Sequence, residues 1–445
     1  MKKVLGYLFV FFLILFLSST PFIYCYFVLP IEIVNFSYSE LLEDDSKNMT
    51  VMLKNDILNP VCSIDGENWI HASNGKCDFN VNTGDYKVVV KNRLTEDIKN
   101  IKVTINDVKS VELNTPKYYL AIDEEYQLRA NVVTAGDIGD KTLKWSTSDE
   151  SIVTVVDGKI HGLKEGTATI SAESINGIVA KTDVTVTDII MKPTYNPKKQ
   201  FLPCGKYTQE EAHLLDDILA TRIAAEGKGS RAALIQTIRF ITLSFRYRIP
   251  YFFEHGRLNN TSGQRYVDGE GRYYHIGLYL SEDKYADLKS IHCRKPQMWG
   301  CGLPNYDDTY GWKTNVNYPN GLDCSGFVSW AMLNSGHDVG DIGSGFNDNP
   351  KAPDLSDLGD MHTLTYDYAN NGDYKVGDII GINGHIALIA AMDDTYIYVA
   401  ESLNHGVWLN KVSKKQAGGT LYKEYTYINR LDDFYTEEGT YTNMW

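Results

Sequence analysis

Positive charge is scarce in this chain. Its 445 residues hold 43 Lys and Arg against 57 Asp and Glu, a net charge of −14 at pH 7. So acidic a chain lacks the basic footprint that neutralises phosphates, so no nucleic-acid partner is expected. Cysteine is also sparse: seven in all, at 25, 62, 77, 204, 293, 301 and 324, with no C-x-x-C pair. A zinc site at His292, Cys293 and Cys301 therefore lacks the paired spacing such sites use. Asp268, Glu270 and His275 fit no calcium loop, which needs a longer run of oxygen ligands. No metal or cofactor is implied. What is abundant excludes disorder: 43% of the residues are apolar and 22% charged. The length suits about three domains at roughly 150 residues each.

Charge of either sign is missing between Lys3 and Glu32. An apolar run of about 20 residues spans a bilayer as a helix. Lys2 and Lys3 before the run place its start in the cytoplasm. Residues 1–30 are thus expected to be a transmembrane anchor, contacting the bacterial membrane. The expected location is the cell membrane, single-pass, with the remainder extracellular. The alternative is secretion after cleavage of a signal segment, but no A-x-A pattern follows the run. Tyr24 is too bulky to precede a lipidated Cys25. In an exported chain Cys62 and Cys77 could form a disulfide, as could Cys293 and Cys301 around RKPQMWG.

Residues 31–107 read as short strands with turns at Ser63–Gly66 and Asn82–Asp85. Ile101–Ile105 alternates apolar and polar residues, as a half-buried strand does. Residues 108–188 repeat this texture, with turns at Asp157-Gly158 and Glu165-Gly166, and with Trp145 read as a core residue. The stretch WSTSDESIVTVVDGKIHGLKEGTATISA resembles the bacterial Ig-like domain of group 2. That resemblance covers about 80 residues and implies a spacer or adhesive module. A linker at 189–206 follows, with Pro193, Pro197 and Pro203 among the 13 prolines of the chain. Thr208-Gln209-Glu210-Glu211 then reads as a capping box opening a helix, and a second helix starts near Ser230 and runs to about Phe245.

The chemistry lies in Gly321-Leu322-Asp323-Cys324-Ser325-Gly326-Phe327-Val328. Phe327, Val328, Trp330, Ala331 and Leu333 continue at helical spacing to a stop at Gly336. Cys324 thus opens a helix whose dipole favours a thiolate. Asp323 caps that helix and Ser325-Gly326 leave the approach unhindered. A nucleophilic cysteine needs a base, and His385 opens an apolar strand after a tight turn. Glu401, closing the next strand, can orient the imidazole. Ser402, Asn404 and His405 are near enough to compete for that role.

These pieces resemble the NlpC/P60 family of cysteine peptidases. The matching motifs are D-C-S-G-F-V at 323–328, the Gly-Asp-apolar run at 377–380, the strand from His385 and the strand ending in Glu401. The resemblance covers roughly 205–435. It implies a catalytic domain at 207–445 with Cys324 as nucleophile, His385 as base and Glu401 as orienting group. The family's usual third residue is His, so Glu401 is a departure. The family also has a P-Y-aromatic motif whose Tyr shapes the site. Its best match is Pro250-Tyr251-Phe252, with an insertion at about 257–318 and Tyr310 as the competing match. Asp323 and Ser325 join Tyr251 in shaping the substrate or oxyanion pocket.

The expected fold class is multi-domain: a transmembrane helix, two all-β Ig-like sandwiches and a C-terminal α+β papain-like domain. The expected function is cleavage of amide bonds in peptidoglycan stem peptides, of the D-glutamyl–diamino acid type, through a thioester. The alternatives are an amidase or acyltransferase of the same superfamily, or a non-catalytic wall-binding adhesin.

Overall fold

A computed structural model describes residues 30–105, 107–135, 140–197, 200–201, 206–249, 251, 276–279, 298, 321–340, 342, 355–403, 406–414 and 425–445. Two compact units divide it.

The first unit runs to Glu112 and adds Asn131–Lys144 and Glu173–Val179. Strand Lys47–Lys54 pairs antiparallel with both Glu32–Tyr38 and Lys76–Val81. A second sheet orders Ile70–His71, Val61–Ser63, Gly84–Lys91 and Glu96–Val103. Alternation places Met49, Val51, Val81, Val88 and Val90 in one core. The Cys62–Cys77 disulfide joins a strand of one sheet to a strand of the other. Cys293 and Cys301 lie outside the described residues.

The second unit holds Leu113–Ala130, Trp145–Ala172 and Ala180–Trp445. Its early part carries strands Lys117–Ala121, Glu125–Gln127, Val153–Val156 and Lys159–Gly162. Trp145 is half-buried against the core of Leu120, Ile160, Ile170 and Val184. Helix Gln209–Ala225 opens on the capping box: Glu211 N–H donates to Thr208 Oγ1 at 3.2 Å, and Thr208 N–H to the Glu211 carboxylate at 2.6 Å. Helix Arg231–Arg239, capped by Ser230, passes into a wider turn at Phe240–Ser244.

Helix Cys324–Ser335 ends at Gly336, whose φ of 118° suits a residue without a Cβ. Helices Arg231–Arg239 and Cys324–Ser335 pack against strand His385–Met392. That strand belongs to an antiparallel six-stranded sheet, ordered Asp360–Thr363, Tyr427–Arg430, Ile379–Ile382, His385–Met392, Tyr396–Leu403, Gly406–Ser413. Both faces of the central strand are buried. Ile386, Leu388 and Ala390 join the core of Phe327 and Trp330, while Ala387 and Ile389 join that of Ile397 and Val399. Near-continuous apolar sequence is the consequence of burial on two sides.

The fold class differs from the expectation. No helix among the described residues is long and apolar enough to cross a membrane. The longest of them, Gln209–Ala225, has 17 residues and carries Glu210, Glu211, Asp216, Asp217 and Arg222. At ~1.5 Å per residue it reaches about 26 Å, short of the ~30 Å hydrocarbon core. The described residues thus lend the single-pass membrane location no support; residues 1–29, where the anchor was expected, lie outside them. The described chain is mostly β with few helices, and the papain-like assignment does not stand either. Short motifs specify a helix start and a strand. Topology depends on distant pairings, such as Asp360–Thr363 with Tyr427–Arg430.

Candidate functional site

Asp323 is the N-cap of the cysteine helix, its Oδ1 accepting from Gly326 N–H at 2.7 Å. Asp323, Cys324 and Ser325 are all buried, and Ser325 Oγ lies 3.4 Å from the same carboxylate oxygen. Ser402 Oγ donates to the Leu322 carbonyl at 2.7 Å, tying the segment before the cysteine to strand Tyr396–Leu403.

Ile386 N–H donates to Cys324 Sγ, which places the sulfur beside the residue that follows His385. His385 is reached from Ile382 through Asn383 and Gly384; Gly384 has φ of 85°, as the tight turn requires. Its Nε2 lies 2.7 Å from Glu401 Oε2. The same oxygen accepts from Tyr425 Oη at 2.7 Å, and Asn410 Nδ2 donates to that hydroxyl at 3.2 Å. Glu401 and Tyr425 are fully buried. Glu401 Oε1 has no hydrogen-bond partner among the described residues. Two donors converging on one buried carboxylate oxygen hold it, and through it the imidazole, in one orientation.

The protonation state of Cys324 departs from the expectation. Burial and then the Asp323 carboxylate push its pKa up to about 12, against the N–H groups of Ile386, Ser325 and Cys324 that favour the thiolate. The helix start supplies donors, but a residue only 7% exposed loses more hydration than they return. The resting group is a thiol.

Tyr251 sits close enough to Asp323 and Cys324 for their charges, after burial, to raise its phenol well above the usual range. Burial and Cys324 act in the same way on Tyr427. Two phenols thus keep their protons near the sulfur. A Cβ at Gly381 would collide with the Tyr427 ring and the His385 carbonyl, so this glycine permits their approach. Tyr425 and Tyr427 were not anticipated from sequence. They lie about 100 residues beyond the cysteine, Tyr427 opening the last strand and Tyr425 two residues before it, and nothing local to them marks the connection. Asn404, His405 and Tyr310 lie outside the described residues, as does most of the 257–318 insertion. Of that insertion, Gly277 bonds to Asn334 and Trp330 of the cysteine helix.

Asp378 of the Gly-Asp run has a structural place. It is fully buried against Arg231 at 2.6 Å and accepts from the Lys375 and Leu431 amides.

Residues 107–186 match the bacterial Ig-like domain (group 2), and no match to the NlpC/P60 family accompanies it. No curated protein matches the chain. Among solved structures, domains 4 and 5 of the S-layer protein SbsC share 13% identity, covering 36% of this chain and 96% of that one, at a TM-score of 0.19. A C-terminal 282-residue fragment of intimin, in complex with the intimin-binding domain of its translocated receptor, shares 14% over 43% of this chain and 79% of that one, at 0.26. Drosophila N-cadherin EC1-4 shares 13% over 33% and 44%, at 0.20. Scores this low bear no argument about the fold. An Ig-like module is present; the catalytic family is not shown.

Proposed function

We propose that the chain is a thiol-dependent amide hydrolase carrying Ig-like modules. The observation that carries this reading is the convergence of Cys324 Sγ on the His385–Ile386 backbone, with His385 hydrogen-bonded to a buried carboxylate. His385 takes the proton of the Cys324 thiol as the sulfur attacks an amide carbonyl. The oxyanion is stabilised by the helix-start N–H groups with the phenols of Tyr251 and Tyr427. The imidazolium returns the proton to the departing amine, leaving a thioester. Water, deprotonated by His385, then cleaves the thioester and restores the thiol. The substrate class rests on the likeness of 323–328 to NlpC/P60 enzymes: stem peptides of peptidoglycan, at a D-glutamyl–diamino acid bond.

The Ig-like match favours a second reading, a non-catalytic surface adhesin. Digestion of purified peptidoglycan by the full chain separates the two. The hydrolase reading expects new amino groups within stem peptides, found by mass, and none with Cys324→Ala. Equal products from both proteins, or none from either, overturn it. New amino termini at the N-acetylmuramic acid–L-Ala junction would instead mark an amidase.

A further inference from the structure

We propose that a second site, independent of Cys324, binds a small organic monocarboxylate against Arg239. A cavity of about 280 Å³ lies within the second unit, walled by Tyr118, Tyr126, Phe240 and Trp445 and reached by Gln236 and Arg239. Its volume is near the lower end of ligand clefts, which start at ~300 Å³.

The charges around this cavity cancel except at one point. Glu124 binds Arg222 at 2.6 Å, Glu226 binds Arg129 at 2.8 Å, and Glu125 binds Lys159 at 2.6 Å. Arg239 is 8% exposed and has no carboxylate partner among the described residues. Its Nε donates to the Ala390 carbonyl at 2.9 Å and its Nη2 to the Thr442 carbonyl at 2.7 Å. These bonds fix the guanidinium and leave Nη1 without a hydrogen bond among the described residues. Burial with no anion beside it pulls the Arg239 pKa down to about 10. An uncompensated buried cation is costly and gains most from a ligand that supplies the missing charge.

The surroundings select the ligand. One uncompensated positive charge matches a monoanion, whereas a dianionic phosphate would leave excess negative charge among Glu124, Glu125 and Glu226. The Tyr118 and Tyr126 rings stack with centroids 3.8 Å apart and offer a flat apolar wall. A carboxylate on an aromatic or apolar body satisfies both features, with a charge-assisted bond to Nη1.

The test uses the full chain with sodium benzoate as probe, against sodium chloride and inorganic phosphate at equal ionic strength. Benzoate is expected to raise the melting temperature saturably, and chloride is not. Arg239 also supports two backbone carbonyls, so its removal can unfold the protein. Gln236→Glu avoids this by placing a carboxylate three residues away on the same helix, within reach of the guanidinium. That variant is expected to weaken benzoate about tenfold or more, while Gln236→Leu stays within about threefold of wild type. Equal shifts with chloride, unchanged benzoate affinity in Gln236→Glu, or tighter binding of phosphate than benzoate would each overturn the proposal.

Discussion

The Cys324 thiol is the most direct place to test the electrostatics of the site. Its pKa stands about three pH units above the ordinary 9.0, because the sulfur is buried and faces Asp323. Three pH units mean about a thousandfold less thiolate at neutral pH than an ordinary thiol would hold. Alkylation with iodoacetamide between about pH 6 and 11, followed by mass analysis of the Cys324 peptide, reads that fraction. The rate is expected to climb by about a factor of ten per pH unit with no plateau below pH 11. Steric shielding lowers every rate alike, so the slope and the inflection decide. Asp323→Asn keeps a good cap while removing the second cause of the rise, and should move the curve to lower pH. An inflection at or below about 8.5 would refute the claim that burial governs this thiol. The same difference affects stability. The folded pKa is the higher one, so its contribution is fully present below pH 9 and is lost as pH rises towards 12. Three pH units correspond to a loss on the order of 4 kcal/mol. Denaturant melts of wild type and Cys324→Ser should therefore diverge across that window.

Tyr425→Phe deletes one of two donors to Glu401 Oε2; turnover is expected to fall about tenfold, the equivalent of one hydrogen bond to a charged group, with the melting curve little changed. A loss of folding without selective loss of turnover would refute its positioning role. Asp378→Ala removes the fully buried partner of Arg231 and leaves it Glu438 at 2.7 Å and Asp432 at 3.3 Å, so the second unit should lose about 1.5–3 kcal/mol in denaturant titration. Cys62→Ser with Cys77→Ser opens a link across 15 residues and should cost the first unit about 3 kcal/mol. Differential scanning calorimetry of the full chain reads that loss.

Much of the local structure was legible. The capping box at Thr208 and Glu211, the Asp323 cap, the Gly336 stop and the Asp157-Gly158 turn each depend on residues a few positions apart. The helix opening at Cys324 and the strand opening at His385 could be read for the same reason. The Big-domain texture was legible because a repeated strand-and-turn pattern is a local signal too. The 108–188 stretch nevertheless contributes strands to both compact units, a division no local pattern marks.

The sequence alone determined where chemistry-bearing residues fall on their elements, because caps, turns and apolar periodicity act over one or two turns of chain. Tertiary structure decided what those residues experience. It pairs Arg231 with Asp378 across 147 positions and sets Tyr425 on Glu401 across 24. It leaves Arg239 without a counter-charge among the described residues, and it buries Cys324 deeply enough to reverse the effect of the helix start. Burial and charge pairing are properties of position in the folded chain, and sequence periodicity does not encode the distance between residues that meet only there.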